Sequence, residues 1–106
     1  MTQALLNLPP RVRAGEVFEV RALIAHPMET GLRTGPDGGT VPRNIIAQFR
    51  CTYDGVDVFR ATLHPAITAN PYLAFFVRAT RSGPLECIWT DERGEAQRAR
   101  AMVTVE

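Results

Sequence analysis

Residues 44–63, NIIAQFRCTYDGVDVFRATL, decide the fold. Four residues of the first half share one face of an extended chain: Ala47, Phe49, Cys51 and Tyr53. This period of two predicts a half-buried β-strand over residues 44–53, followed by a return strand over 56–63. Asp54-Gly55 lies between them, and this dipeptide is typical of a two-residue hairpin because both turn positions need positive φ. The stretch therefore predicts an antiparallel β-hairpin.

Further strands are predicted on both sides of this hairpin, over residues 16–26, 72–79, 85–91 and 96–105. Residues 72–79 are apolar on both faces, which predicts a central strand. No window keeps helical spacing over three turns, and the 8 Gly and 8 Pro suit a chain with many turns. Six or seven short strands separated by turns predict an all-β protein, an antiparallel β-sandwich.

Length and composition indicate one ordinary globular domain, residues 1–106. Hydrophobic residues make up 45% of the chain and charged residues 22%, which does not fit a disordered tail. The net charge of +1 gives no reason to expect nucleic-acid binding. No apolar run approaches the roughly 20 residues that a membrane span needs, so no membrane contact is expected.

The inventory of reactive side chains argues against an enzyme. All 12 basic residues are arginine, which excludes a lysine base or Schiff base. Ser82 is the only serine and lies in the turn-like sequence RSGP, so a Ser–His–Asp triad is not expected. Arg98 and Arg100 share the outward face of their strand, which indicates a solvated surface.

Cys51 and Cys87 are the only cysteines, too few for a four-thiolate zinc site. Both fall on predicted inward faces, where buried free thiols are favoured and a disulfide is the alternative. His26, Met28 and His64 would suit copper as a soft nitrogen and sulfur set. Both histidines precede proline, however, which favours simple strand ends. Because of this possible ligand set, a copper-binding or adhesion-type periplasmic module is kept as the alternative function.

The connection from His26 to Arg43 is the only long one, and it holds seven Gly or Pro residues. Connections of this length in a compact domain are usually functional or disordered. It begins with HPMETG at residues 26–31, followed by Arg33. Four further motifs follow in order: PRNII at 42–46, FRCTYDG at 49–55, HPAITANPY at 64–72 and WTD at 89–91. Together these motifs resemble the Z subunits of the SoxYZ sulfur-carrier complex, across about residues 10–105.

This resemblance implies an immunoglobulin-like β-sandwich that pairs with a Y subunit in the periplasm. Sulfur intermediates of thiosulfate oxidation would then be carried by a cysteine on a glycine-rich C-terminal arm of the Y subunit. This chain ends AMVTVE, without such an arm, so we expect it to be the non-catalytic partner and to need no cofactor. Its start has no recognisable signal peptide, so export together with a partner is expected.

The motif residues on two connections are the expected binding surface for the Y subunit, or for Sox enzymes that visit the complex: His26, Pro27, Met28, Glu29, Thr30, Gly31, Arg33, Asn70, Pro71 and Tyr72. The alternative is that these residues only brace the ends of the sandwich through turn hydrogen bonds. Without its partner, the chain is expected to be able to form homo-oligomers through the exposed surface.

Overall fold

The computed structural model describes residues 4–25, 28, 31–32, 34–40, 43–63 and 71–106. These residues form seven strands: β1 (Ala4–Asn7), β2 (Val17–Ile24), β3 (Ile46–Tyr53), β4 (Val56–Thr62), β5 (Tyr72–Arg78), β6 (Gly83–Asp91) and β7 (Ala96–Val103). The described part of the chain includes no helix with the length and apolarity that crossing a membrane requires.

The strands form two antiparallel sheets, one with the order β1-β2-β5 and one with the order β4-β3-β6-β7. The sheets meet along one side where β1 lies against β7. A parallel bridge between Val12 and Val105 reinforces that side. The all-β, immunoglobulin-like sandwich of about seven strands is thereby confirmed.

The hairpin at Asp54-Gly55 is confirmed together with its backbone conformation. Asp54 has φ of 51° and Gly55 has φ of 83°, the left-handed pair that a tight hairpin between twisted strands needs. The β3–β4 register shifts between Cys51 and Thr52, which leaves Val58 as an extra residue in β4. Such a bulge bends an edge strand and raises its twist, which blunts the exposed edge of the sheet.

Four aromatic rings join the two sheets in the core. Phe49 lies 5.1 Å from Trp89 and 5.8 Å from Phe75, centroid to centroid, in edge-to-face arrangements. Phe59 of β4 stacks on Phe75 of β5 at 4.4 Å, which closes the second side of the sandwich. Burial of these rings supplies a large share of the hydrophobic stabilisation.

One prediction about strands was wrong, and one strand was missed. Residues 72–79 were expected to form a central strand, but β5 is an edge strand, and its apolar outer face is open to solvent. The short strand β1 was not predicted, because four residues are too few to establish a period of two. It pairs with β2, so that β2 and not β5 lies in the middle of its sheet.

The turns at the ends of the sandwich are held by buried or half-buried polar groups. Tyr53 Oη accepts hydrogen bonds from the backbone N–H groups of Thr80 and Arg81, both at 3.1 Å, and donates to the carbonyl of Arg81. Burial by itself would raise the pKa of Tyr53, but these hydrogen bonds outweigh it and lower the pKa. Asp91 stabilises the β6–β7 turn in the same way. Its carboxylate accepts hydrogen bonds from the backbone N–H groups of Arg93 and Glu95.

Candidate partner-binding face

The outer face of the three-stranded sheet carries a row of apolar side chains. Leu5 of β1 is in register with Leu23 of β2, and Leu23 is in register with Tyr72 of β5. Their exposed fractions are 59%, 38% and 56%. Because side chains alternate along each strand, the residues that point to the core are the intervening ones, such as Ala22 and Ile24, which are fully buried.

The row lines a shallow groove of about 380 Å³ together with Leu6, Asn7 and Arg21. Arg21 Nε donates to Glu19 Oε1 at 2.6 Å, and this hydrogen bond raises the pKa of the guanidinium group. The groove is therefore apolar along Leu5, Leu23 and Tyr72, with a charged pair at its border. Interfaces between proteins commonly combine such an apolar centre with a polar rim.

Exposed apolar residues concentrate on this face. Nine large hydrophobic residues are exposed among those that the structure describes. Five of them lie on the outer face of β1, β2 and β5: Leu5, Val17, Leu23, Tyr72 and Phe76. On β2 the ion pair Glu19–Arg21 lies between Val17 and Leu23, so apolar and charged side chains alternate on this face. Exposed apolar surface bordered by polar residues is typical of a surface that binds another protein. We name this group of five the apolar face.

The predicted partner-binding residues differ in their exposure to solvent, and some of them lie outside the described residues. Tyr72 belongs to the apolar face, and it is 56% exposed. Met28 and Pro71 are buried, and Gly31 is half-buried. The remaining predicted residues lie outside the part of the chain that the structure describes: His26, Pro27, Glu29, Thr30, Arg33 and Asn70. The prediction of a binding surface at the two connections stays a prediction.

Met28 shows how the His26–Arg43 connection meets the core. Its thioether sulfur accepts a hydrogen bond from the backbone N–H of Ile46 at 3.1 Å. Ile46 lies where the β3–β6 register shifts, so this N–H finds its acceptor outside the regular ladder. Met28 also has φ of 53°, an uncommon conformation for a residue with a side chain. Its side chain therefore braces the start of β3.

The two cysteines are directly opposite each other on β3 and β6, and both are free. The N–H of Asp54 donates to the carbonyl of Pro84 at 2.8 Å, so the alternation of the ladder makes Cys51–Cys87 a non-hydrogen-bonded pair, the closely spaced kind. Both thiols are fully buried. The pKa of Cys87 is raised strongly. The main cause is a hydrogen bond with Cys51, and the second cause is burial. The prediction of buried free thiols is confirmed.

Within the described residues, no group of three or more His, Cys, Asp or Glu is arranged to hold a metal ion. The copper hypothesis rests on His26 and His64, which lie outside those residues, so it is not tested. Met28, its third member, is buried against Ile46.

Sequence reasoning missed four of the five residues of the apolar face. Val17 and Leu23 occupy outward positions of β2, on either side of the polar residues Glu19 and Arg21. Tyr72 and Phe76 make the outer face of β5 apolar, and this was taken as a sign of a central strand. The signal was present in the sequence, since an outward apolar position next to a charged one is the pattern of a partly exposed binding face.

The two antiparallel sheets define the class of protein, an immunoglobulin-like β-sandwich, and the outer face of its three-stranded sheet exposes five large apolar residues. The chain belongs to the SoxZ family, because the family model described as "Sulphur oxidation protein SoxZ" matches residues 6–102. Its role is therefore in the sulfur oxidation of the Sox system, and the resemblance seen in the sequence motifs is confirmed. None of the curated proteins compared with the chain matches it.

Several solved structures share the fold. A superoxide reductase (neelaredoxin) from Ignicoccus hospitalis is 23% identical with a TM-score of 0.75, covering 99% of this chain and 82% of the other. A putative superoxide reductase from Thermotoga maritima is 16% identical with a TM-score of 0.75, covering 97% and 85%. The sulfur carrier protein SoxY from Chlorobium limicola f thiosulfatophilum is 13% identical with a TM-score of 0.69, covering 97% and 78%. At these identities the likeness concerns the fold alone.

Proposed function

We propose that this chain is the non-catalytic subunit of a sulfur-carrier complex, and that it supports a SoxY-type subunit whose own cysteine carries the sulfur. Membership of the SoxZ family supports the proposal at the level of the pathway. The burial of both thiols supports it at the level of chemistry, because a sulfur carrier needs an accessible thiolate.

The apolar face is the observation that carries the proposal. A permanent subunit needs a partner surface with an apolar centre, and aromatic residues are enriched in such centres. Tyr72 and Phe76 provide two aromatic side chains, 56% and 68% exposed, on one side of β2, and Leu5 lies on the other. The proposed occupant is a SoxY-type β-sandwich, since two sheets of this kind pack face to face about 10 Å apart with interleaved side chains.

The proposal includes the periplasm as the compartment in which the complex works, with export of the chain together with its partner. The resemblance of the motif residues to Z subunits supports this part. Cell fractionation with and without the partner's gene tests it: the chain should leave the cytoplasm only when the partner is present.

Replacing Leu23 by arginine should break the complex. The side chain points outward between Leu5 and Tyr72, so the fold should persist while a charge is placed within the apolar row of the proposed interface. Loss of a central anchor costs about 2–4 kcal/mol, a fall in affinity of about 30- to 1,000-fold. The measurement is co-purification and calorimetric titration with a co-expressed SoxY-type subunit.

Met102→Arg is the matched control, because Met102 is also an exposed apolar residue, 62% exposed, but lies on the outer face of the other sheet. We expect this variant to bind the carrier subunit as the unaltered chain does. Normal binding by Leu23→Arg, or a loss of binding only with Met102→Arg, would place the interface elsewhere. Failure of the unaltered chain to bind any SoxY-type subunit would refute the proposed function itself.

A further inference from the structure

The outer face of the four-stranded sheet carries a row of arginines. Arg60 of β4 is in register with Arg50 of β3, Arg50 with Ile88 of β6, and Ile88 with Arg98 of β7. Arg100 lies two residues further along β7 and is exposed. Like charges placed directly opposite each other across strands are destabilising, so the pair Arg50–Arg60 needs a compensating anion.

Asp57 supplies part of that compensation. Its Oδ1 accepts a hydrogen bond from Arg50 Nε at 2.6 Å, and its Oδ2 accepts a hydrogen bond from Arg60 Nη2 at 2.5 Å. The hydrogen bonds from Arg50 and Arg60 lower the pKa of this carboxyl group, so it is ionised at neutral pH. Among the described residues, Asp57 is the one carboxylate that contacts both guanidinium groups, and the next carboxylate on this face, Glu86, lies 3.9 Å from Arg98.

Arg50 and Arg60 also line a depression of about 230 Å³. The depression is lined by Gln48, Phe49, Arg50, Arg60, Ile88 and Thr90, and Asp57 is not among them. Gln48 and Thr90 are in register with each other, in the row next to the arginines and on the side away from Asp57. All polar side chains of the lining can donate hydrogen bonds, and none is a carboxylate.

We propose that this depression is a binding site for a tetrahedral sulfur oxyanion, held by Arg50 and Arg60 with Gln48 and Thr90 as neutral donors. The guanidinium fork matches two oxygens of such an anion, and two forks with an amide and a hydroxyl suit a tetrahedron. The volume admits a free sulfate or thiosulfate ion, or the sulfonate end of a modified thiol. The site lies on the sheet opposite the apolar face, so an occupied apolar face leaves it open. The site therefore does not depend on where a partner subunit binds, while the choice of a sulfur oxyanion rests on the role of the family in sulfur oxidation.

Titration of the isotope-labelled chain with sulfate, followed by NMR, tests the site. We expect saturable shifts confined to the backbone and side-chain signals of the lining residues, among them Gln48, Arg50, Arg60 and Thr90. Sodium chloride at matched ionic strength should not reproduce them. A parallel titration with S-sulfoglutathione distinguishes the two sources: tighter binding of this thiol derivative points to a sulfonated thiol, and tighter binding of sulfate or thiosulfate points to the free ion.

Two substitutions with opposite expected signs make the assignment specific. Arg60→Gln should weaken sulfate binding about tenfold or more, because a charged hydrogen-bond donor is lost. Asp57→Asn should strengthen binding several-fold, because it removes the carboxylate that competes for both guanidinium groups. If these side chains only stabilised the sheet, the two substitutions would not change the sulfate affinity in opposite directions.

Arg13→Gln is the matched control, since it removes the same charge from an exposed residue in the β1–β2 connection. It should leave the sulfate affinity unchanged. The site is overturned if sulfate gives no saturable shift, if chloride gives the same shifts, or if Asp57→Asn and Arg60→Gln both behave like Arg13→Gln.

Discussion

Truncation of Trp89 to alanine should lower the free energy of unfolding by about 3–5 kcal/mol, as removal of a buried tryptophan does. Trp89 is fully buried near the end of β6, and its ring packs edge-to-face on Phe49. A domain of this size is stable by only about 5–15 kcal/mol, so this loss is a large fraction of the total stability. Chemical denaturation followed by circular dichroism measures the change.

Phe76→Ala provides the matched control, because Phe76 is also aromatic but is 68% exposed on the apolar face. Its removal should change the stability of the isolated chain by less than about 1 kcal/mol. Trp89→Phe should cost much less than the alanine variant. Phenylalanine keeps most of the ring volume, and the indole Nε1 has no hydrogen-bond partner among the residues that the structure describes, so no such bond is lost there. Equal losses for Trp89→Ala and Phe76→Ala would contradict the described core.

Both thiols of the folded chain should be almost inert towards a thiol reagent. The thiolate is the reacting form, and burial and the mutual hydrogen bond of Cys51 and Cys87 hold the pKa of Cys87 far above the range of a reactive cysteine. Reaction should require opening of the sandwich, which makes it at least about a thousandfold slower than in the unfolded chain. Absorbance of the released aromatic thiolate from a disulfide reagent measures both rates.

Thr104→Cys is a useful control, because Thr104 is exposed next to the end of β7. The introduced thiol should react at the rate of an ordinary accessible cysteine, while the two native thiols stay silent in the same sample. Reaction of Cys51 or Cys87 at a comparable rate would mean that the β3–β6 pair is accessible in the native state.

Much of the fold could be predicted from local sequence. Asp54-Gly55 fixed the central hairpin because both residues tolerate the positive φ that the turn requires. The inward placement of Cys51 and Cys87 followed from the period of two. Strand order could not be predicted in this way, because it depends on which strands pair, and β1 is too short to show a pattern.

The candidate sites were harder to predict for a related reason. The apolar face becomes visible only when β1, β2 and β5 are known to lie side by side, so that Leu5, Leu23 and Tyr72 form one row. The pair Arg50–Arg60 depends on the register of a hairpin that contains a bulge at Val58. A shift of one residue would move these side chains to the other face of the sheet.

The central claim is that the chain supports a reactive thiol on another subunit and does not carry sulfur itself. The most direct test is intact-mass spectrometry of each subunit, after the complex with a SoxY-type subunit has been loaded with thiosulfate by its oxidising enzymes. We expect sulfur adducts on the cysteine of the SoxY-type subunit and an unmodified mass for this chain. A persulfide or thiosulfonate on Cys51 or Cys87 would contradict the claim.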